Sequence, residues 1–338
     1  MRHRHIMEMR SEMKYIESLR EGERINEIYL CKVKQSALTK AGKPYDNLIL
    51  QDKTGTLDAK IWEPGSVGID EFDSLDYIAV MGDITSFQGN LQLNVKRVRK
   101  VQEGEYDPKD YLPVSKKDID GMYTELLGLI ASVELLTYVH KIENPYLKQL
   151  TDSYFVENEA FIKAFKGHSA AKSVHHGFVG GLLEHTLSVT KNCDYFAETY
   201  PILNRDLIVS AAIFHDIGKL EELSTFPEND YTDEGQLLGH IMIGAEMVGE
   251  RIRTIPGFPK GTANELKHCI LAHHGELEYG SPKKPALAEA LALSFADNID
   301  AKMETIREIF ASVPENNLEW QGYNRLLESN IRRSGRES

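Results

Sequence analysis

The stretch Ile208-Val-Ser-Ala-Ala-Ile-Phe-His215-Asp216-Ile-Gly-Lys219 ends an apolar run with two adjacent residues of the types that bind metal ions. The apolar residues predict a buried helix, so the carboxylate of Asp216 at its end needs a partner. A metal ion is the obvious partner, because imidazole and carboxylate groups together suit divalent transition metals. This stretch therefore predicts a metal site at the end of a core helix.

Other residues of ligand type recur along the same half of the chain. They are His185, His240, the pair His273-His274, and Asp297. Each lies on or at the end of a predicted helix, beside apolar residues that would face a core. A single buried histidine is more often a hydrogen-bonded core residue than a ligand. Burying so many imidazoles without a shared partner would cost on the order of several kcal/mol, so we expect one shared metal centre.

Composition limits the class of protein. The chain has 338 residues, of which 41% are hydrophobic and 27% charged, as expected for about two globular domains. A formal net charge of −13 argues against a surface coated with basic residues for duplex DNA, but it is compatible with a local basic groove.

Cysteine usage and hydropathy point to the cytoplasm. The three cysteines, Cys31, Cys193 and Cys269, are far apart and form no CxxC pair, which favours reduced thiols. No apolar run approaches the roughly 20 residues that a membrane span needs, and the first residues lack the apolar segment of a signal peptide. We therefore expect a cytoplasmic protein with no membrane partner.

The first third of the chain has the pattern of a small β-barrel. Five alternating stretches, separated by glycine-bearing turns, predict strands over 25–38, 45–50, 56–62, 77–87 and 91–101. Five short strands in about this length are typical of an OB-like barrel, which we place at residues 23–104. Residues 1–22 form an N-terminal extension with a predicted short helix over 6–19.

After a charged linker over residues 105–120, the pattern becomes helical. Helices are predicted over 116–140, 145–165, 180–199, 204–217, 235–254, 262–274 and 286–313, with prolines in several of the gaps. The predicted fold class is therefore multidomain α+β: a five-stranded OB-like barrel followed by an all-α domain at residues 121–320. Residues 321–338 read as a polar, frayed tail.

The ligand order His, His-Asp, His, His-His, Asp resembles that of the two-metal members of the HD superfamily of metal-dependent phosphohydrolases. This resemblance implies that His185, His215 and Asp297 hold one metal ion. It implies that His240, His273 and His274 hold a second, and that Asp216 bridges the two. Two adjacent ions suit phosphoester hydrolysis because they can share a hydroxide and stabilise the leaving oxygen. The ligand types favour Mn, Fe, Co or Zn, and the resemblance favours Mn.

Three further residues are candidates for the reaction. Lys219 would reach the phosphate and offset charge in the transition state, although a lysine near a helix C-terminus is also favoured by the helix dipole. His176, in the pair His175-His176, would contact a ligand or the substrate, or belong to a local loop network. Lys283, on a loop rich in Gly and Pro, would contact a substrate phosphate, the alternative being a solvated loop charge.

An OB-like barrel commonly holds single-stranded nucleic acid by stacking bases on aromatic rings. Tyr45, Trp62 and Phe87 are the candidate stacking residues, although aromatic residues in a small barrel are often part of the core. The predicted fifth strand also ends in a basic run, so any basic groove would be local.

The order of barrel, linker and HD-type domain resembles the YhaM family of 3′→5′ exoribonucleases, over about residues 24–310. The resemblance rests on the ligand motifs and on Leu48-Ile-Leu-Gln-Asp-Lys-Thr-Gly55, Tyr279-Gly-Ser-Pro-Lys283 and Asp297-Asn-Ile-Asp-Ala-Lys302. It implies removal of nucleotides from the 3′ end of single-stranded RNA, or of single-stranded DNA. It also implies a cytoplasmic homo-oligomer.

Two other functions are compatible with parts of the sequence. A phosphodiesterase for a small nucleotide, such as a cyclic dinucleotide, shares the two-metal ligand order. That branch carries Gly-Tyr-Pro after the histidine pair, whereas this chain has Tyr279-Gly280-Ser281-Pro282. The non-enzymatic alternative is a nucleic-acid-binding protein with a structural metal site, but such a site gains little from a bridged pair of ions.

Overall fold

The computed structural model describes residues 13–87, 89–130, 142–172, 176–311 and 313–335. The chain divides into two compact units, Met1–Val114 and Ser115–Ser338. The first is a β-barrel and the second is mainly helical. Among the described helices, none combines the length and the hydropathy needed to cross a membrane.

Five strands close the barrel in the order β1-β2-β3-β5-β4. They are β1 (Arg24–Leu38), β2 (Pro44–Asp52), β3 (Gly55–Ile61), β4 (Tyr77–Phe87) and β5 (Asn90–Lys100). The long β1 pairs antiparallel with both β2 and β4, while β3 and β5 pair in parallel. A register shift between Cys31 and Val33 interrupts the β1–β2 ladder, where a bulge bends a strand from one neighbour to the next. The predicted five-stranded barrel is confirmed.

Strand alternation decides which side chains fill the barrel. Leu48 and Leu50 on β2 are buried, as are Leu57 and Ala59 on β3. Successive strand residues point to opposite faces, so the residues between these apolar ones lie on the outer surface. This places Lys60, between the buried Ala59 and Ile61, on the outside of the barrel.

The segment before β1 packs on the barrel. Its backbone amide at Ile16 donates to the Asp52 carboxylate at 2.6 Å, and the Tyr29 hydroxyl donates to the Lys14 carbonyl at 3.0 Å. Leu19 joins the barrel core. The predicted helix over 6–19 is reduced, in the described part, to a single 3-10 turn at Ile16–Ser18, and residues 1–12 lie outside the described residues.

Nine helices are described in the second unit. They are α1 (Ile119–Ile130), α2 (Pro145–Phe155), α3 (Glu159–Gly167), α4 (Gly181–Thr199), α5 (Arg205–Phe214), α6 (Lys219–Glu222), α7 (Asp233–Thr254), α8 (Lys260–Leu271) and α9 (Ala288–Ala311). Helix α5 is buried from Leu207 to Phe214 and contacts α4, α8 and α9. The helix that leads into His215-Asp216 is therefore the centre of this core, as its apolar sequence predicts.

Two predicted elements differ from the structure. The helix expected over 145–165 is two helices, because the chain leaves the helix at Val156 and the Asn158 side chain accepts from the amide of Phe161 at 3.1 Å, which caps a new helix. The last residues, expected to be frayed, include a short hairpin of β6 (Tyr323–Asn324) and β7 (Ser329–Asn330). Of the helix expected over 116–140, α1 covers 119–130, and residues 131–141 lie outside the described residues.

Candidate metal centre and its cleft

Four of the predicted ligands form one group at the centre of the helical unit. His185 lies on the second turn of α4, His215-Asp216 follows α5, and Asp297 lies on α9. The Nε2 atom of His185 lies 3.1 Å from Nε2 of His215. The same Nε2 is 3.2 Å from Oδ2 of Asp216 and 3.2 Å from Oδ1 of Asp297. Three core helices therefore bring these side chains to one point.

The other three predicted ligands form a second group beside the first. His240 lies on α7, and His273-His274 follow α8. One nitrogen of each of these three lies within 4.8 Å of the others. The Nε2 atoms of His240 and His273 lie 3.5 Å and 3.6 Å from Oδ1 of Asp216. Asp216 therefore presents one carboxylate oxygen to each group.

Hydrogen bonds fix which nitrogen of each ring faces inward. In three of the rings, Nδ1 lies 2.7 Å from a backbone carbonyl oxygen: His215 faces Ala212, His273 faces Ile270, and His274 faces Tyr279. A carbonyl can only accept, so Nδ1 carries the proton and donates it. Nε2 then presents a lone pair to the centre, which is the state that a metal ligand requires.

Two carboxylates orient the remaining rings from behind. Asp300 Oδ2 accepts from Nδ1 of His185 at 2.7 Å and from Nε2 of His176 at 2.9 Å. Glu222 Oε1 accepts from Nδ1 of His240 at 2.9 Å and from its backbone amide at 3.0 Å. Such carboxylates fix the tautomer and raise the basicity of a ligand imidazole. No motif in the sequence marks either carboxylate, although Asp300 lies one helical turn after Asp297.

The position of His240 depends on two glycines. Helix α7 has a non-helical conformation at Gly239, with a φ of 72°, which favours glycine. This interruption lies next to the backbone amide of His240, which donates to Glu222. Gly218 follows the His-Asp pair and touches the same turn of α7. A Cβ at position 218 would lie 2.0 Å from the His240 carbonyl oxygen and 2.6 Å from the Gly244 amide nitrogen. Glycine at 218 therefore permits the close approach that places His240 beside Asp216.

The site fits a metal ion on chemical grounds. Oδ1 of Asp216, Nε2 of His240 and Nε2 of His273 are buried and have no hydrogen-bond partner among the described residues. Burial acts to raise the pKa of the Asp216 carboxyl, but the charge of Lys219 holds it well below its usual range. Inward lone pairs and a carboxylate would repel one another without a cation between them. The protein therefore contains His/Asp groups that can hold metal ions.

Lys219 occupies the edge of this cluster. Its Nζ lies 2.6 Å from Oδ2 of Asp216. Burial acts to lower the pKa of this ammonium, but attraction to Asp216 raises it above its ordinary value. Lys219 therefore stays charged and lines a cleft of about 440 Å³ that opens beside His185 and Asp297.

The two other candidate residues lie away from this cleft. His176 is buried behind His185, where both rings share Asp300, and its backbone has a φ of 61°. Its neighbour His175 lies outside the described residues. Lys283 is exposed on the loop between Tyr279 and α9 and does not line the cleft.

The candidate stacking residues lie on the outside of the barrel. The rings of Tyr45 and Trp62 stack with centroids 5.3 Å apart, and Nζ of Lys60 lies 5.1 Å from the Tyr45 ring. The indole N–H of Trp62 donates to Asn94 at 3.1 Å, and the side chain is 48% exposed. Phe87 ends β4 and is 59% exposed, and within the described part of the chain no ring contact joins it to the other two.

Comparison with known proteins places these features in a family. The sequence model of the HD domain family matches residues 182–302. The second OB-fold domain of replication protein A from Methanococcus maripaludis, a solved structure, matches 28% of this chain and 98% of its own at 17% identity. Its TM-score is 0.22, and it adds nothing to the fold assignment.

Two curated relatives are similar over most of their length. The 3'-5' exoribonuclease YhaM of Geobacillus sp. (strain WCH70) is 35% identical over 293 residues, which cover 84% of each chain. The protein of the same name from Bacillus subtilis (strain 168) is 34% identical over 288 residues, which cover 83% of this chain and 86% of the relative. The family resemblance seen in the sequence is thereby confirmed. The chain belongs to the YhaM family of 3'-5' exoribonucleases.

Proposed function

We propose that this protein removes nucleotides from the 3′ end of single-stranded RNA by metal-dependent hydrolysis of the phosphodiester bond. The observation that carries the proposal is the position of Asp216, whose two carboxylate oxygens face two separate groups of imidazoles. The relatives named 3'-5' exoribonuclease, at about a third identity over most of both chains, support the direction and the substrate.

We assign seven ligands to two divalent transition-metal ions, with Mn as the expected metal. His185, His215 and Asp297 hold the first, and Asp216 bridges. His240, His273 and His274 hold the second. When bound, such a pair of ions activates a water molecule and offsets charge on the reacting phosphate. The mixture of imidazole and carboxylate donors supports Mn, Fe, Co or Zn over Mg or Ca.

The neighbouring residues have distinct roles in this proposal. Lys219 lines the cleft and places a positive charge where the phosphate would enter, which stabilises negative charge that develops there. His176 acts as a positioning residue, because it touches Asp300, which in turn orients His185. Contact between the exposed Lys283 and a substrate phosphate remains a prediction.

The barrel holds the strand in this proposal. The stacked pair Tyr45–Trp62, with Lys60 over it, offers aromatic faces and a positive charge on an outer surface. Bases of any sequence stack on such rings, so single-stranded DNA is a second possible substrate. Phe87 would contribute a separate exposed ring.

We also propose that the protein is a homo-oligomer. Helix α9 carries Leu291, Phe295, Ile299 and Met303 at a spacing of four residues, and all four are exposed. At about 100° per residue these side chains share one face, opposite to that of Asp297. An apolar stripe of this kind is typical of a protein contact surface. Light scattering of the wild type and of Phe295→Glu tests this, with a smaller assembly expected for the variant.

A cytoplasmic location is the corresponding proposal for the compartment. It is supported by Cys31, Cys193 and Cys269, which are all buried and unpaired. Free thiols are typical of a reducing environment. Fractionation of cells that express the protein is the measurement that tests it.

One experiment tests the main proposal. The purified chain, with Mn²⁺, is incubated with single-stranded RNA labelled at its 5′ end, and Asp216→Ala serves as control. We expect a ladder of shortening products that is absent with the variant. Intact RNA together with cleaved cyclic dinucleotide would favour the small-nucleotide phosphodiesterase. Metal binding without hydrolysis of either substrate would favour a structural metal site.

A second experiment tests the barrel surface. Trp62→Ala should weaken binding of RNA about ten-fold, because stacking contributes about 1–3 kcal/mol per base. The RNA should be longer than the roughly 4–16 nucleotides that one OB-fold covers. Tyr200→Ala, which also removes an exposed aromatic ring, is the matched control. Equal affinity of both variants would contradict the assignment of this surface.

A further inference from the structure

The chain continues after α9 into a hairpin segment, residues 313–335, that lies beyond the HD domain match at residues 182–302. None of its described residues is buried. Two of its aromatic side chains are widely exposed, Trp320 at 65% and Tyr323 at 67%. Tryptophan and tyrosine side chains left open in this way are typical of binding surfaces. The hairpin segment is therefore a candidate for contact with a ligand that the metal centre does not account for.

Arg333 anchors the hairpin segment to the end of α9. Its guanidinium donates to the Phe310 carbonyl and lies 4.8 Å from the centre of the Phe310 ring. The last carbonyls of a helix have no partner within it, and the helix dipole favours a cation there. The backbone amide of Gln321 donates to the Ile331 carbonyl at 2.8 Å, which joins the two arms of the hairpin. The segment is thus held on one side, while its aromatic side chains stay open on the other.

A groove of about 720 Å³ lies between the hairpin segment and the last turns of α9. Phe310 lines it from the helix, and Trp320, Asn330 and Arg332 line it from the segment. Among the described residues that line this groove, none is acidic, although the chain as a whole has a net charge of −13. Aromatic and cationic side chains together suit a ligand that has flat bases and negative charge.

Arg332 and Arg325 carry charges that have no acidic partner. The guanidinium of Arg332 lies 5.8 Å from the centre of the Trp320 ring, and its side chain is exposed. Arg325 is exposed in the turn between β6 and β7. In the described part of the chain, neither arginine forms an ion pair. A guanidinium beside an open indole ring can bind a phosphate while the ring stacks with the neighbouring base.

The hairpin segment also borders the cleft at the metal centre. Leu326, in its turn, lines that cleft together with Thr305 of α9, whereas the next residue of α9, Ile306, lines the groove. The cleft and the groove therefore lie on neighbouring sides of one turn of the helix. Because Arg332 follows Leu326 by only six residues, their Cα atoms are at most about 22 Å apart. A strand that ends in the cleft has the groove within reach of its next few nucleotides.

We propose that the hairpin segment is a second strand-binding surface, which holds nucleotides upstream of the one that is removed. Trp320 stacks with a base, while Arg332 and Arg325 bind phosphates. This inference rests on the proposed exoribonuclease function. It adds to that function a contact for the strand on the helical unit, outside the metal centre and independent of the Tyr45–Trp62 surface of the barrel.

The first test is binding of a single-stranded RNA of about 16 nucleotides to the full-length protein in EDTA, measured by fluorescence anisotropy. Trp320→Ala should weaken binding about ten-fold, the effect of losing one stacked base, whereas Trp320→Phe should retain the affinity. Tyr195→Ala is the matched control, because Tyr195 is 63% exposed on α4 and lines neither the groove nor the cleft. Equal affinity of Trp320→Ala and Tyr195→Ala would overturn the proposal.

The salt dependence of the same binding tests the two arginines. Loss of one phosphate contact should lower the slope of log K against log salt by about 0.7 for a single strand. Arg332→Gln and Arg325→Gln should each show this change. Arg253→Gln, which removes an exposed arginine of α7, should not. Unchanged slopes in both hairpin variants would overturn the phosphate contacts. The same two variants carry the test if circular dichroism shows that Trp320→Ala fails to fold.

A cross-linking experiment locates the strand. An RNA with one photoreactive uridine, placed a few nucleotides from its 3′ end, is bound to the full-length protein in EDTA and irradiated. We expect a cross-link to the peptide that contains Trp320, and cross-links to barrel peptides alone would contradict the proposal. A second copy of this chain is the alternative occupant of the groove. In that case Trp320→Ala would give a smaller assembly in light scattering with unchanged RNA affinity, which would also overturn the proposal.

The outcomes separate this inference from the proposed function. If the wild type produces the RNA ladder but Trp320→Ala binds RNA normally, the enzyme assignment stands and the hairpin assignment fails. If the ladder is absent but Trp320→Ala binds RNA more weakly than Tyr195→Ala, the hairpin assignment stands and the exoribonuclease assignment fails.

Discussion

Asp216 is the side chain on which the two imidazole groups converge. Its Oδ2 faces His185 at 3.2 Å and its Oδ1 faces His240 at 3.5 Å. An imidazole presents a single lone pair to a metal, so none of the neighbouring histidines could replace it as a bridge. The adjacent His215 belongs to the first group alone, which explains why the two residues of the dipeptide are not interchangeable.

The Asp300 carboxylate should set the affinity for metal without touching it. Replacing it by Asn removes the negative charge, so the oxygen that accepts from both His185 and His176 becomes a neutral and weaker acceptor. We expect Asp300→Asn to weaken Mn²⁺ binding by about 10–100-fold, as is usual for groups that orient metal ligands. Calorimetric titration of the metal-free protein measures this.

Asp194→Asn is the matched control for that substitution, because Asp194 lies on α4, the helix of His185, but pairs with Arg205 at 2.7 Å. Equal metal affinity of the Asp300 and Asp194 variants would contradict the positioning role.

The proposed metal ligands could be predicted from the sequence, because each belongs to a short motif beside apolar residues. The residues that hydrogen-bond to these ligands could not be predicted. Asp300 and Glu222 look like ordinary helix carboxylates until the fold brings them to His185 and His240. Gly218 likewise has a φ of −62°, which any residue adopts. Only its contact with α7 shows that glycine is needed there, because a Cβ would meet the backbone of that helix.

At the scale of elements, the contact between Gly218 and α7 should be sensitive to a single methyl group. Gly218→Ala would place Cβ against two backbone atoms that cannot rotate away, the His240 carbonyl oxygen and the Gly244 amide nitrogen. We expect a loss of about 1–3 kcal/mol or more in the free energy of unfolding, and a weaker second metal site.

Chemical denaturation with and without Mn²⁺ measures both effects. Gly261→Ala on α8 is the control, because a Cβ there meets no atom within 4 Å. It should be neutral or stabilising by about 0.5–1 kcal/mol. A Gly218→Ala variant as stable as Gly261→Ala would show that α7 can move away.

Metal binding should stabilise the helical unit, because it connects helices that are otherwise held together by packing alone. The proposed ligands come from α4, α7 and α9 and from the residues that follow α5 and α8. Mn²⁺ at about 100 times its dissociation constant should add about 2.7 kcal/mol to the stability of the folded state. For a domain of this size that corresponds to a rise of roughly 5–10 °C in Tm.

Thermal unfolding in EDTA and after addition of Mn²⁺ measures the shift, with Asp216→Ala as the variant that should not respond. A similar rise in that variant would place the stabilising ion elsewhere.

Strands and helices could be predicted where the local sequence has a single clear periodicity of apolar residues. The barrel strands were found because buried and exposed residues alternate, as at Leu48 and Leu50. The break between α2 and α3 was missed because no proline or glycine marks it, and the Asn158 cap is recognisable only once the helix has ended. The hairpin at 323–330 was missed because its strands are two residues long and carry no apolar alternation.

At the scale of the whole molecule, the chain is two compact units that divide between Val114 and Ser115. All seven proposed ligands lie in the second unit. A fragment of residues 115–338 should therefore fold, bind Mn²⁺ and hydrolyse bis-p-nitrophenyl phosphate at a rate close to that of the full chain. It should lose affinity for long RNA, because the Tyr45–Trp62 surface is gone.

Thermal unfolding, hydrolysis of bis-p-nitrophenyl phosphate and hydrolysis of long RNA are measured for the fragment and for the full chain. Equal loss of both activities would mean that the barrel is needed for folding or assembly rather than for holding the strand.

The stacking of Trp62 on Tyr45 also gives the protein an intrinsic optical probe. The chain has two tryptophans, Trp62 on the barrel and Trp320 near the C-terminus. Replacing Trp320 by Phe would leave a single indole emitter, half exposed at the proposed strand-binding surface. Titration with RNA in EDTA, where cleavage is suppressed, should quench its fluorescence to a saturating level. An emission that stays constant while RNA binds would place the strand elsewhere on the barrel. The protein would thus report the position of the strand without an added label.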